Sequence, residues 1–184
     1  YRDDLKIGAL PNSHDLPVDE IDAVVVSHVH MDHVGLVSLL KPSIPILSSA
    51  TTMAVLRAIQ VSGTIQFYQE IAYILQREVE SRRSYRFLES PNWRREAHRG
   101  RNAIVIAGVL SEELRSLWQR QANPDGSGRG MTPGEISTWN DSQLEWKIEA
   151  LSVDHSILVA CGFSINTERG RIIYTGDLRM KGTR

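Results

Sequence analysis

The sequence predicts an α/β fold of layered α+β type, on three observations. From Ala23 to about residue 60, short apolar runs that read as strands alternate with segments of helical period. From Leu144 onward the chain returns to strand-like stretches separated by turn residues. With 184 residues and 41% hydrophobic content, the chain can bury one substantial core, which fits a single domain over residues 1–184.

The elements follow in order. Residues 1–22 carry six acids against Arg2 and Lys6, with Pro11 and Pro17 marking turns, so they read as a solvated approach in which His14 lies at the surface. Ala23-Val24-Val25-Val26 reads as a buried strand. A short helix is expected from about Val34 to Leu40, stopped by Pro42, because the residue before a proline avoids helical geometry. Ile44-Pro45-Ile46-Leu47 is then a strand. Ser48, Ser49 and Thr51 offer caps for a helix over roughly 51–60 whose apolar side holds Met53, Leu56, Ala58 and Ile59.

Ile65, Tyr68, Ile71, Ala72, Leu75 and Val79 recur at helical spacing and predict a helix over 65–80. Arg77 to Arg101 brings arginines 77, 82, 83, 86, 94, 95, 99 and 101, interleaved with Tyr85, Phe87 and Trp93. Such a run can hold phosphates and stacked bases, but more often forms a solvated face, and His98 within it is read as a surface residue. Ala103–Ala107 is a buried strand, followed by a helix from about Ser111, where Glu112 and Glu113 suit the positive end of the dipole. Residues 123–130 are a loop by composition. The stretch 61–142 thus reads as a helical insertion between two parts of one core. Strands are expected over Leu144–Val153, Ile157–Thr167 and Arg171–Thr175, with Glu168-Arg169-Gly170 as a turn. His155 follows the first of them, and Asp177 follows the third through Gly176.

A net charge of −1 leaves no global field toward nucleic acid or membrane. Cys161 is the only cysteine, which excludes an internal disulfide framework and makes a reducing compartment, the cytoplasm, the expectation. No apolar run approaches the ~20 residues a membrane helix needs. Homo-oligomerisation is left open.

Chemistry concentrates in Ser27-His28-Val29-His30-Met31-Asp32-His33-Val34-Gly35, directly after the first strand. If the chain stays extended there, positions 28, 30 and 32 project to one side and His33 breaks the alternation. Imidazole and carboxylate suit zinc, and also manganese or iron with added oxygen donors. One ion cannot easily use all four groups, so two adjacent ions are the economical reading. Strand ends on one sheet rim can bring His28, His30, Asp32, His33, His155 and Asp177 together. Asp22, Ser27 and Asp154 are candidates to fix the imidazole tautomers.

His28-Val29-His30-Met31-Asp32-His33, His155 and Asp177 resemble the three metal motifs of the metallo-β-lactamase superfamily. Val153-Asp154-His155-Ser156-Ile157 and Tyr174-Thr175-Gly176-Asp177-Leu178-Arg179 resemble its β-CASP branch, which includes ribonuclease J, although Leu158 stands where that branch typically has proline. The resemblance implies part of an αββα sandwich in a larger enzyme, with the β-CASP domain beyond Arg184. It implies that His28, His30 and His155 hold one zinc ion, that Asp32 and His33 hold another, and that Asp177 bridges, with manganese as an alternative metal. Asp32 and Asp177 are then the catalytic candidates, Asp32 as a possible orienting group for the attacking water. Two ions ~3.5 to 4 Å apart can share a hydroxide and stabilise an in-line phosphoryl displacement. The expected activity is a nucleic-acid phosphodiesterase, RNA being favoured by family analogy and endo or exo action left open. The alternatives are a small-molecule hydrolase of thioesters, lactones or lactams, and a non-catalytic RNA-binding scaffold.

Overall fold

Alternation along two central strands places every layer of this protein. The structure, a computed structural model, describes residues 7, 9, 20–62, 67–75, 78–82, 85–89, 97–120, 131–157 and 159–179. In chain order they form β1 (Val24–Val25), α1 (Met31–Val34), a 3-10 turn (Gly35–Leu39), β2 (Ile46–Ser49), α2 (Ala50–Val61), a 3-10 turn (Phe67–Gln69) and β3 (Tyr73–Leu75). There follow β4 (Glu78–Arg82), β5 (Tyr85–Glu89), β6 (His98–Gly100), β7 (Ala103–Ala107), α3 (Glu112–Gln119), β8 (Met131–Thr132), β9 (Ile136–Thr138), a 3-10 turn (Trp139–Asp141), β10 (Lys147–Ser152), β11 (Cys161–Thr167) and β12 (Gly170–Tyr174).

β1, β2, β7 and β9 form a parallel sheet in that order. Successive side chains on a strand point to opposite faces, so Ile46, Ala103 and Val105 go one way while Leu47 and Ile104 go the other. The first face packs on Met53 and Leu56 of α2 and on Leu114 and Trp118 of α3. The second packs on Ile148, Cys161 and Phe163 of an antiparallel sheet ordered β10-β11-β12. The result is three layers: helices, parallel sheet, antiparallel sheet. Serine starts both longer helices as expected, Ser49 Oγ accepting from Thr52 N–H at 3.1 Å and Ser111 Oγ from Leu114 N–H at 3.2 Å. Among the described residues no helix is long and apolar enough to cross a membrane.

The expected helix over 65–80 does not form. Its described residues are a 3-10 turn, β3 and the start of β4. The cause is distant in sequence: Gln60, buried at the end of α2, holds the extended backbone of 71–73. Its Oε1 accepts from the N–H groups of Ile71, Ala72 and Tyr73 at 3.1, 2.7 and 3.2 Å, and its Nε2 donates to the Tyr73 carbonyl. Four consecutive residues, Ile71 to Ile74, are buried, a pattern that a helix with one apolar stripe cannot produce. Among the described residues, 61–142 is therefore not a mainly helical insertion, α3 being its one longer helix. They contribute β7 and β9 to the central sheet, and β3, β6 and β8 to a second small sheet.

In the arginine run Arg99 is exposed as expected, but Arg101 departs from the solvated face. Arg101 is 0% exposed, and its guanidinium donates to the carbonyls of Ile71, Lys41, Ile44, Val37 and Leu40 at 2.8 to 3.1 Å. Burial pulls its pKa down to about 10, so it stays charged at neutral pH. His98 is buried as well, edge-on to the Tyr73 ring. His14, residues 123–130 and Arg77, Arg83, Arg94 and Arg95 lie outside the described residues.

Five carbonyl oxygens lose the guanidinium if Arg101 becomes methionine; those of Val37 and Lys41 keep the N–H groups of Leu40 and Ile44, and each buried acceptor left unpaired costs about 1 to 3 kcal/mol, partly relieved by relaxation. Arg101→Met is expected to destabilise the fold by about 3 to 5 kcal/mol, the range for breaking a buried charged network. Urea unfolding followed by circular dichroism checks this. A midpoint equal to that of the wild type would show that the carbonyls find other partners.

Candidate metal centre

The site forms where the end of β1 meets the start of β11. The Cys161 N–H donates to the Ser27 carbonyl at 3.0 Å, which joins the parallel sheet to the antiparallel one. Gly176, at φ +59, follows β12 against the same point: a Cβ there would stand 2.8 Å from the Ser27 Cβ, so the crossing requires glycine for both conformation and space. His28 leaves β1 beside this seam, and Asp177 leaves β12 beside it. His155 arrives in the 153–160 loop, which is closed by Val153 N–H donating to the Ala160 carbonyl at 3.4 Å. Arg179 N–H donates to the Asp154 carbonyl at 2.8 Å and ties that loop to the segment after β12.

Four of the six expected donors converge. One ligand atom from each of His28, His30, His155 and Asp177 lies within 4.8 Å of all the others. His28 Nε2 stands 3.1 Å from His30 Nδ1, which stands 3.2 Å from His155 Nε2. Donors bound to zinc at 2.0–2.1 Å in a tetrahedron are roughly 3.3 Å apart, so these separations fit one ion. They fit hydrogen bonding less well, because His30 Nδ1 has one lone pair and two imidazole nitrogens approach it. A set of three imidazoles and one carboxylate is also the chemistry that zinc takes.

His33 and Asp32 stand beside this group. The chain does not stay extended through residue 32, as the alternation had suggested: His30 is the last extended residue (φ −63, ψ 142), and α1 begins at Met31, ahead of the expected start at Val34. The turn swings Asp32 outward, where its side chain is 77% exposed and 3.7 Å from His33 Nε2. His33 keeps its ring 4.2 Å from that of His28 and its Nε2 3.2 Å from Asp177 Oδ1. The other oxygen, Asp177 Oδ2, lies 3.7 Å from His155 Nε2. Asp177, itself one of the four donors, thus faces His155 with one oxygen and His33 with the other.

The protonation state suits a ligand. Burial first, and then the neighbouring His33, His155 and His30, push the His28 pKa down to about 4 against the opposing pull of Asp177. The ring is neutral near pH 7. Of the three residues expected to support the imidazoles, Ser27 does so, with Oγ 2.9 Å from His28 Nδ1. Asp154 and Asp22 are exposed, and Asp154 contributes its main-chain carbonyl. Sequence reasoning did not nominate Tyr174, whose phenol oxygen is 3.4 Å from Ser27 Oγ. The available signal was a polar ring at strand spacing before Gly176-Asp177.

The family model of the metallo-beta-lactamase superfamily matches residues 2–49, a stretch that contains β1, His28 to His33 and β2. No curated protein and no solved structure matches the chain. The layered α/β architecture is consistent with a partial fold of that superfamily. The match and the converging His and Asp side chains together suggest a metal-dependent hydrolase.

Proposed function

We propose that this hydrolase is a phosphodiesterase acting on nucleic acid, with RNA as the favoured substrate and two zinc ions, or manganese, as its metals. The observation that carries the reading is the meeting of His28, His30, His155 and Asp177 from three distant segments at one rim. In it His28, His30 and His155 hold the first ion, Asp32 and His33 hold the second, and Asp177, which faces both sides, lies between them. Bound metal supplies Lewis acidity that polarises a phosphoryl oxygen and acidifies water. The neutral, buried His28 keeps a lone pair available near pH 7, and the exposed Asp32 carboxylate can accept a proton from water and aim it.

Three features support a polymer substrate. The acidic edge of the site is open, Asp177 being 44% and Asp32 77% exposed, so an extended strand can lie across it. Arg179 is exposed two residues past Asp177 and its main chain is fixed by the Asp154 carbonyl, so its long side chain is available to a phosphate near the rim. The segments 153–157 and 174–179 carry the β-CASP resemblance. All six donor positions hold competent residue types, which disfavours a non-catalytic scaffold.

The donors differ in what they should control. His155→Ala is expected to weaken the first equivalent of zinc by more than about 100-fold, since losing a ligand exceeds the usual 10- to 100-fold loss of an outer partner. Asp32→Ala should leave that equivalent nearly unchanged, because its side chain points outward. Calorimetric titration with zinc checks both, and equal losses would remove the distinction.

Cleavage of end-labelled RNA by the full-length protein, with zinc or manganese, tests the activity. It should stop with a chelator, with Asp177→Ala and with Asp32→Ala, the last despite retained first-ion binding. Cleavage that survives all three overturns the proposal, and turnover of a chromogenic lactam or thioester without RNA cleavage moves it to small molecules.

A further inference from the structure

Behind His28, on the side away from the other donors, stand two hydroxyl groups from opposite sheets. Ser27 is 2% and His28 1% exposed, and Ser27 Oγ lies 2.9 Å from His28 Nδ1. The same Oγ lies 3.4 Å from the phenol oxygen of Tyr174, 147 residues further along the chain. On its opposite edge, His28 presents Nε2 to His30 Nδ1 at 3.1 Å.

An imidazole that coordinates a metal through Nε2 is neutral and carries its proton on Nδ1. In a ring this buried, that proton needs an acceptor, and Ser27 Oγ is in reach of it. A serine oxygen that accepts there must send its own hydrogen elsewhere, and Tyr174 offers the oxygen. Without metal, the opposite arrangement satisfies the same atoms: Ser27 donates to Nδ1, and Nε2–H donates to His30 Nδ1. A Cβ at Gly176 would stand 3.0 Å from Ser27 Oγ, so the glycine lies close to this side chain, and exchange between the two arrangements needs only rotation of the hydroxyl hydrogen.

We propose that Ser27 and Tyr174 form a two-hydroxyl tautomer switch for His28, in which Ser27 donates to Nδ1 in the metal-free protein and accepts from it in the loaded one, Tyr174 taking the released hydrogen bond. Both are positioning residues, since neither reaches the metal-facing side of the ring. Metal uptake then moves the His28 proton from Nε2 to Nδ1 without moving a side chain. The inference rests on the metal-binding reading of the site.

The test uses the full chain, zinc competition against a chromophoric chelator, and nitrogen-15 NMR of the histidine rings. In the wild type, the His28 proton is expected on Nε2 without zinc and on Nδ1 with it. Ser27→Ala should weaken zinc about 10- to 100-fold, the usual loss when the outer partner of a metal-bound histidine is removed. Tyr174→Phe, which keeps the half-exposed ring, should give a smaller loss in the same direction with an unchanged melting midpoint, and so separates the switch from a folding defect. Zinc binding by Ser27→Ala as tight as that of the wild type overturns the switch, as does a metal-free His28 already protonated on Nδ1. A wild type that takes up no zinc overturns the metal-binding reading itself, a result the metal-free tautomer measurement does not share.

Discussion

One main-chain hydrogen bond, from the Cys161 N–H to the Ser27 carbonyl, sets the geometry on which the candidate site depends. It joins the parallel sheet to the antiparallel sheet at the ends of β1 and β11, and the Gly176 backbone closes onto the same residue. The segment after β1 therefore meets two segments more than a hundred positions further along the chain. His28 and Asp177 each lie one residue beyond the meeting point, and His155 hangs from the loop that feeds β11. The donors converge because sheet pairing delivers them.

Away from that seam, the fold is held by buried polar groups as well as apolar packing. Arg101 gathers five carbonyls from the segment between α1 and β2 and from the approach to β3, while Trp118 Nε1 donates to the Arg101 carbonyl at 2.9 Å. Gln60 does the same for residues 71–73. Arg57, also buried, donates to the carbonyls of Leu117 and Arg120 and lies 4.6 Å from the centre of the Tyr73 ring. Burying such groups is costly unless they are hydrogen-bonded, so Arg101 and Gln60 each fix one chain path and penalise others, while Arg57 leaves Nη1 without a hydrogen-bond partner. The loop that carries the first metal motif is thereby clamped from behind by residues outside the motif.

This arrangement explains which parts were legible in the sequence. The run around Val24-Val25, the caps at Ser49 and Ser111 and the three C-terminal strands could be read because their causes are local: alternation, a capping hydroxyl, a turn glycine. The four-donor group could be read in outline because metal ligands crowd into one short stretch and recur at strand ends. The stretch 65–80 could not, since helical spacing was present but the backbone's partner was Gln60, brought there by the tertiary fold. Arg101 and His98 were misread for a related reason: a charge run gives no sign of which member turns inward. The direction of Asp32 was not legible because α1 starts early, a shift of a few residues that turns its side chain toward solvent beside His33.

The burial gradient across the site then has a physical consequence. His28 is nearly inaccessible, and the side chains of His155 and His33 are 14% and 21% exposed, whereas that of Asp177 is 44% and that of Asp32 77% exposed. Donors fixed by packing lose little freedom when they bind a cation, while an exposed carboxylate must be ordered at the moment of binding. The His28, His30 and His155 end is therefore preorganised, and the Asp32 end is adaptable. On the proposed reading, a cation would be held by the fixed imidazoles while the open edge adjusts to whatever lies across it, with Asp177 as the group common to both halves.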